Sequence, residues 1–367
     1  MKVAVLGAAG TIAPAIVRDL AASAEVDSIL LLDLRGEVAE QVAAEHGGGK
    51  AEAREADARS GLSAELEGAG ALVNSASYRV NLEAMDACLE AGCDYLDLGG
   101  LYHVTARQLE RGAEFEAAGL LAVLGIGSSP GKTNLMAARA VRELGSAPVR
   151  IDVCAAGRDL EPPSGFSAPY ALQTLLDEVT LAPVVLRDGE PRELEPLSPG
   201  GEVDFGEPIG SAETIHTLHS ELNTFGESFG CRECSFRLSL SPALLERLRE
   251  LAGAGEEEVS RAAEQVRRPS PETVSVHLVE AFAPERRIRM RAITGPHREW
   301  RLGGGIISTA SPAAAAVRLL ARGEVEARGA LPPERCLDPD LMFAELETRG
   351  CRFELEAGEP QGEMSRR

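Results

Sequence analysis

Positive charge is in shortest supply in this 367-residue sequence: 37 Lys and Arg stand against 58 Asp and Glu, a formal net charge of -21. That balance excludes the phosphate backbone of nucleic acid and an anionic membrane surface as natural partners. Lysine is nearly missing. Lys2, Lys50 and Lys132 are the only three, which reads as compositional bias and adds little weight to Lys132. Cysteine is sparse and irregular, with an odd total of seven at 88, 93, 154, 231, 234, 336 and 351. A secreted disulfide framework would be denser and more regular, so a reducing cytoplasm is expected.

No apolar run approaches the ~20 residues of a membrane helix. Met1-Lys2 before Val3-Ala4-Val5-Leu6 has the outline of a signal peptide, but Gly7 and Gly10 interrupt it and acidic, helix-forming sequence follows. The reading is a buried first strand ending in a glycine turn. Internal repeats are absent, and the residues after Gly358 read as a disordered tail. What remains is 44% hydrophobic and 26% charged, enough for a packed core, at a length that suits two domains.

Short apolar runs at 3–6, 28–32, 51–56, 71–74, 94–98 and 120–124 alternate with helical periodicity at 12–22, 37–46, 82–91 and 105–117. Continuous apolar strands separated by helices predict an α/β fold: a doubly wound parallel sheet of six strands, covered on both faces. The texture changes near Pro130. Strands are predicted at 151–155, 184–187, 235–240, 274–281, 286–293 and 299–302, and helices at 168–179 and 242–252. This second half reads as an α+β domain with a mixed or antiparallel sheet. Residues 251–265 read as an acidic, solvated helical face. After a hinge at Gly303-Gly304-Gly305, an Ala-rich helix at 311–320 is expected to return to the first domain. The division predicted is 1–128, completed by 306–350, and 129–305.

The first strand runs into Gly7-Ala8-Ala9-Gly10-Thr11-Ile12-Ala13, the glycine turn of a Rossmann dinucleotide site. Gly7 turns the chain, Gly10 admits a pyrophosphate, and Ala13 keeps helix and strand close. Backbone N–H groups at Ala9, Thr11 and Ile12 and the helix dipole are suited to the phosphates, and Pro14 falls where a missing N–H costs little. Asp33, directly after the second strand, is placed to accept hydrogen bonds from the adenosine ribose and to repel a 2′-phosphate, which predicts NAD over NADP. The plainer reading is that Asp33 caps the next helix. Arg35 is a possible receiver of a 2′-phosphate. Asp57, Asn74, Ser75 and Ala76, at the ends of the third and fourth strands, are expected to line the crevice.

Gly125-Ile126-Gly127-Ser128-Ser129-Pro130-Gly131-Lys132-Thr133 resembles a P-loop, which would make the chain an NTPase. Its spacing is wrong: a Walker loop needs four residues before Gly-Lys-Thr, and here three follow Gly127 and five follow Gly125. Pro130 also removes a phosphate-cradling N–H. In the second half, Glu213, Thr214, His216, Thr217, His219, Ser220, Glu221, Asn223 and Thr224 form the densest polar cluster. It reads either as a substrate and proton-transfer site, for which histidine is suited, or as an exposed loop. Zinc held by His216, His219, Cys231 and Cys234 would rest on a single Cys-x-x-Cys pair, so no metal is expected.

Taken together, the glycine turn, Ala91-Gly92-Cys93-Asp94-Tyr95-Leu96-Asp97-Leu98-Gly99-Gly100, Gly127–Asn134, Asp188-Gly189-Glu190, Thr217–Thr224 and Gly329–Glu334 resemble the saccharopine dehydrogenase-like oxidoreductases, including lysine 6-dehydrogenases. Ser129-Pro130-Gly131 lacks the acid of the Asp-Pro-Gly common in saccharopine-type enzymes, and Pro-Gly-x-x-Asn looks nearer the lysine 6-dehydrogenase arm. The resemblance implies reversible hydride transfer at a C–N bond of an amino acid, through an imine, in a homodimer formed by the second domain. Its catalytic candidates are His219 with Glu221. Lys132, Asn134 and the N–H groups after Pro130 are expected to hold a substrate carboxylate, with the nicotinamide near Gly99 and Gly100. Arg232 is a second carboxylate candidate, and Asp97 and Tyr102 are reserve acid–base groups. The competing class is a Rossmann protein that binds NAD as a sensor or assembly factor and catalyses nothing.

Overall fold

A computed structural model of the chain describes residues 1–359 other than Gly165 and Arg268, so most of the tail expected after Gly358 lies outside the described residues. The chain divides into two compact units: Met1–Lys132 with Thr309–Leu346, and Thr133–Ser308 with the chain from Glu347 on.

In the first unit, the continuous apolar runs become strands buried on both faces. Chain order is β1 (Lys2–Leu6), α1 (Ala13–Ala21), β2 (Ser28–Asp33), α2 (Gly36–His46), β3 (Ala51–Glu55), α3 (Leu62–Glu65), β4 (Ala71–Asn74), α4 (Asn81–Ala91), β5 (Asp94–Asp97), α5 (Leu101–Leu109), α6 (Gly112–Ala117) and β6 (Leu121–Val123). The helix expected at 105–117 is thus two helices. It starts earlier, at Leu101, and breaks where the Arg111 N–H turns back to the Gln108 carbonyl. All the strand pairs are parallel. Their order is β15-β6-β5-β4-β1-β2-β3, so the sheet has seven strands rather than six. The seventh, β15, comes from far down the chain. The order reverses at β1, flanked by β2 and β4, and the carboxyl ends of β1 and β4 flank the crevice in which such sheets bind ligands.

The second unit follows with α7 (Lys132–Leu144), β7 (Arg150–Asp159), α8 (Leu172–Thr180), β8 (Val184–Arg187), β9 (Glu190–Glu193), β10 (Pro199–Asp204), β11 (Ser211–His216), α9 (Glu221–Phe229), β12 (Glu233–Ser239), α10 (Pro242–Ala252), α11 (Glu256–Gln265), β13 (Thr273–Ala283) and β14 (Arg286–Thr294). The main path is β10-β11-β12-β7-β13-β14-β16, with β8 and β9 hung on β12. It is antiparallel except where β12 lies parallel to β7, so the sheet is mixed. Leu172, Leu175, Leu176 and Val179 of α8 pack with Leu248, Leu251, Val259 and Ala262 of α10 and α11, so the acidic face expected at 251–265 is one side of an amphipathic helix. The strand expected at 299–302 is a tight turn closed by an isolated bridge between His297 and Leu302. The polar cluster is neither one loop nor one site: it spans β11 and the start of α9.

Helix α12 (Gly304–Ala321) begins within the three glycines, so Gly304 and Gly305 are helical rather than a hinge. A side chain at Gly304 would meet the Thr294 carbonyl at 2.0 Å. From Thr309 on this helix belongs to the first unit. Among the described residues it is the one helix apolar and long enough to cross a membrane by composition, against the expectation that no run approaches that length; 72% of that stretch is buried, as in a core helix. The chain ends through β15 (Gly329–Leu331), α13 (Pro333–Cys336), α14 (Pro339–Glu347) and β16 (Cys351–Gly358). Arg318 of α12 bonds Asp19 of α1 at 2.8 Å and Glu345 of α14 at 2.6 Å, tying the late helices to the first one. Strand β16, not foreseen, pairs with β14 and belongs to the second unit.

Candidate active site

The glycine turn closes with little slack. Gly7 has φ +80°, and a Cβ there would meet the Ala76 backbone nitrogen at 2.5 Å, so only glycine lets the ends of β1 and β4 come this close. The Gly10 N–H donates to the Gly7 carbonyl at 2.9 Å. Ser75 donates its hydroxyl to the Leu6 carbonyl at 3.0 Å. Beyond this knot the N–H groups of Thr11, Ile12 and Ala13 have no partner among the described residues. Three open donors at the start of α1 are the chemistry a pyrophosphate needs, so these residues fit a dinucleotide.

Asp33 does not cap α2. Its carboxylate accepts the Ala9 N–H at 3.0 Å and the Arg35 N–H at 2.9 Å. Arg35 returns its guanidinium to the Ala9 carbonyl at 2.9 Å. Acid and arginine are therefore both folded onto the glycine turn. Asp57 spends its carboxylate on the Arg59 N–H of its own turn.

The other side of the crevice rests on a group the sequence reading had only as a reserve acid–base candidate. Asp97, fully buried at the end of β5, accepts five hydrogen bonds. Gly99 N–H (2.9 Å) and Gly125 N–H (2.7 Å) donate to one oxygen. Gln108 Nε2 (2.6 Å), the Tyr95 hydroxyl (2.9 Å) and Asn81 Nδ2 (3.1 Å) donate to the other. Burial pushes its carboxyl upward, and these donors pull against that. Asn74 joins the network: its amide donates to Asn81 at 3.0 Å and to the Tyr95 oxygen at 3.3 Å, while its carbonyl accepts the Ala76 N–H at 3.0 Å. Asp97 and Asn74 thus spend their side chains on holding Gly99, Gly125 and Ala76 in place at the strand ends. Tyr102 lies on α5, its ring edge-on to His103 at 5.3 Å.

The P-loop-like turn is closed on itself. Gly127 donates to the Pro130 carbonyl and Lys132 to the Gly127 carbonyl, each at 2.9 Å. A Cβ at Gly131 would meet the Gly127 oxygen at 2.3 Å. The Lys132 N–H expected to receive a substrate carboxylate is therefore engaged internally. The side chains of Lys132 and Asn134 are buried. Arg232 is exposed and pairs at 3.4 Å with exposed Asp188, a surface contact of small energetic weight.

In the second unit the polar cluster separates. His216 sits on β11, opposite Arg237. His219 and Glu221 stand together at the start of α9 and are buried. His219 Nδ1 lies 3.1 Å from one Glu221 oxygen, and Thr133 of α7 donates its hydroxyl to the other at 2.8 Å. The imidazole stacks on Phe236 of β12, centroids 3.5 Å apart at 16°, which fixes the ring plane. Burial opposes a charged His219, yet the carboxylates of Glu221 and Glu178 outweigh it and raise the histidine above its ordinary range. Nε2 has no hydrogen-bond partner among the described residues and is not sealed from solvent. A histidine with one nitrogen anchored on a carboxylate and the other unbonded is equipped to move a proton. Phe236 and Glu178 carried no sequence signal, being distant in the chain, and Thr133 stood in the Gly127–Asn134 motif with nothing to tie it to Glu221. Among the described residues no group of three or more His, Cys, Asp or Glu could hold a metal.

Residues 3–123 match the family model of the saccharopine dehydrogenase NADP binding domain. The chain is 27% identical over 298 residues to carboxyaminopropylagmatine dehydrogenase of Synechocystis sp., covering 77% of this chain and 72% of that one. It shares the fold of saccharopine dehydrogenase (L-Glu forming) from Saccharomyces cerevisiae with a TM-score of 0.71, at 13% identity, over 97% of this chain and 99% of that one. The family resemblance carried by the motifs is borne out, and most of the first unit matches the model of a domain that binds NADP.

Replacing Asp97 with Asn turns an amide N–H2 toward donors that need an acceptor, at about 1–3 kcal/mol for each buried group left unpaired. The expected outcome for Asp97→Asn is a melting temperature lower by roughly 5 °C or more, with weaker dinucleotide binding by calorimetry. Parental values for both would show that the network is incidental.

Proposed function

We propose that this saccharopine dehydrogenase-like, NAD(P)-dependent oxidoreductase transfers hydride at the C–N bond of an amino-acid or amine substrate, through an imine. The observation that carries the reading is the buried His219–Glu221 pair with an unbonded Nε2. The named relatives support it, one a dehydrogenase of an aminopropyl derivative of agmatine, the other of saccharopine.

Amine oxidation needs a neutral nitrogen before hydride leaves the adjacent carbon. His219 Nε2 takes the ammonium proton, Glu221 holds Nδ1 and stabilises the resulting imidazolium, and Thr133 keeps the carboxylate in place. A bound nicotinamide supplies the acceptor for the hydride and its electron pair. The imidazolium passes its proton to solvent, and the neutral histidine then serves as base for the water that adds to the imine. The products are a carbonyl compound, an amine, reduced cofactor and a proton. Lys132 and Asn134 are the candidates for a substrate carboxylate.

His219→Ala is expected to lose about 10²–10⁴ of turnover, and Glu221→Gln a smaller part of it, with NAD affinity unchanged. In the parent, amine oxidation rises with pH as the imidazole loses its proton. Because His219 is held above its ordinary value, that limb lies above about pH 6.5. Turnover within threefold of the parent for both variants, in a panel of amino acids and amines, would remove this pair from the mechanism.

NAD is the proposed cofactor rather than NADP. Asp33 is pinned by two N–H groups and cannot swing away from a 2′-phosphate, and close like charges cost on the order of 1 kcal/mol or more. The expected result is a lower dissociation constant for NAD, with the gap narrowed in Asp33→Ala. Tighter NADP binding by the parent would mean that Arg35 outweighs Asp33.

A homodimer through the second unit is also proposed, since β16 leaves a long outer edge and an exposed Leu355, features that sheets cover by association. Light scattering is expected to give about twice the 38.7 kDa of one chain; a single-chain mass at dilution would count against it.

A further inference from the structure

One buried acid of the second unit has no part in the scheme above. Glu178 lies near the end of α8, beside the leucines that pack that helix into its core, and is only 7% exposed. A carboxylate so placed is costly unless it is bonded or faces a charge. Its side chain has a single hydrogen bond, from the Tyr170 hydroxyl to Oε2. Its main-chain carbonyl accepts the N–H of Leu218 at 3.1 Å, which fastens this turn of α8 to the residue immediately before His219. The other carboxylate oxygen, Oε1, is unbonded and not sealed from solvent, the same condition as His219 Nε2.

We infer that Glu178 is a positioning residue: a second counter-ion which, oriented by Tyr170, sets the charge of His219 jointly with Glu221. The inference rests on the reading of His219 as the proton-handling group. Two acids around one imidazole explain why a histidine buried against Phe236 keeps its proton above the ordinary range, where burial alone would strip it. Burial in turn pushes the Glu178 carboxyl up, while His219 and the Tyr170 hydroxyl pull it down. The titratable groups facing the cluster are Glu221 from α9, Glu178 with Asp177 from α8, Tyr170 before α8, and Cys234 of β12, which faces Glu221. A purely structural Tyr170–Glu178 bond would anchor α8 equally well and leave the histidine's titration alone.

The sign of each change follows. Removing the Glu178 charge removes an attraction for the imidazolium, so the His219 midpoint falls. Removing the Tyr170 hydroxyl takes away a donor that favours ionised Glu178, so the midpoint falls by less. The test is a pH titration of the full chain, without cofactor, carrying histidine labelled at Cε1. The six histidines give separate carbon–proton signals, and His219 is assigned by its loss in His219→Gln. Glu178→Gln, which keeps the side-chain shape, is expected to lower the midpoint by on the order of one pH unit, Glu178→Asp by less, and Tyr170→Phe in the same direction. A midpoint unchanged in both Glu178→Gln and Tyr170→Phe overturns the inference, whatever their turnover. Should His219→Ala keep its turnover, the functional reading fails instead, even if the titration moves as described.

Discussion

A single carboxylate, Asp97, sets the geometry on which the first unit depends. Buried with no cation bonded to it among the described residues, it is stabilised by five donors: two loop N–H groups, an amide from α4, an amide from α5 and a phenol from its own strand. The donors come from β5 and the loops after β5 and β6, from the start of α4 and from the last turn of α5. The acid therefore acts as a gauge for the strand ends, because moving any one of them would leave a charge in a low-dielectric interior without compensation. At β1 the same alignment is imposed sterically, by the missing side chain of Gly7. Electrostatics on one side and contact on the other define a crevice whose open N–H groups at α1 are left for a ligand.

The second unit solves a different problem with the same means. A parallel core can leave its chemistry at strand ends, but a mixed sheet has most of its backbone edges occupied. Its buried histidine–carboxylate pair is instead set at the start of a helix, α9, with the imidazole stacked on Phe236 of β12 and the carboxylate held by a hydroxyl from α7. Three elements distant in sequence thereby fix one imidazole. A flat ring stacked at 16° has little rotational freedom, so the acid that holds Nδ1 also decides where Nε2 points.

Much of the first unit was legible because its signals are local. Apolar runs at 28–32 and 71–74, the glycine turn and Asp33 each declare themselves within a few residues. The break inside 105–117 was not, since it is a main-chain turn, Arg111 N–H to the Gln108 carbonyl, in a stretch with no glycine or proline before Gly112 to mark it. Asp97 itself stood inside a noticed motif, but nothing in Asp-Leu-Gly-Gly distinguishes a gauge for loops from an acid–base group. In the second unit, 299–302 alternates like a strand and is a turn, because Arg301 adopts φ +53° and four residues are too few to reach a neighbour. His219 and Glu221 were picked out by composition. Phe236 and Glu178 were not, and Thr133 was noticed only as part of a glycine turn, as nothing local marks side chains that meet the pair from another strand or helix.

The return of the chain through Arg318 carries a consequence for how the molecule is made. The first unit is built from two stretches separated by all of the other unit except its last strand. On a ribosome adding about 5–20 residues per second, its first six strands emerge on the order of ten seconds or more before β15 can join β6. Through that interval the β6 edge has no neighbour, and Asp19 has no guanidinium. An unpaired, apolar strand edge is an invitation to wrong pairing. The inserted unit, continuous but for its last strand, is free to fold first. The nascent chain then needs either a chaperone or a slow, loosely held first half until the alanine-rich helix arrives to close it.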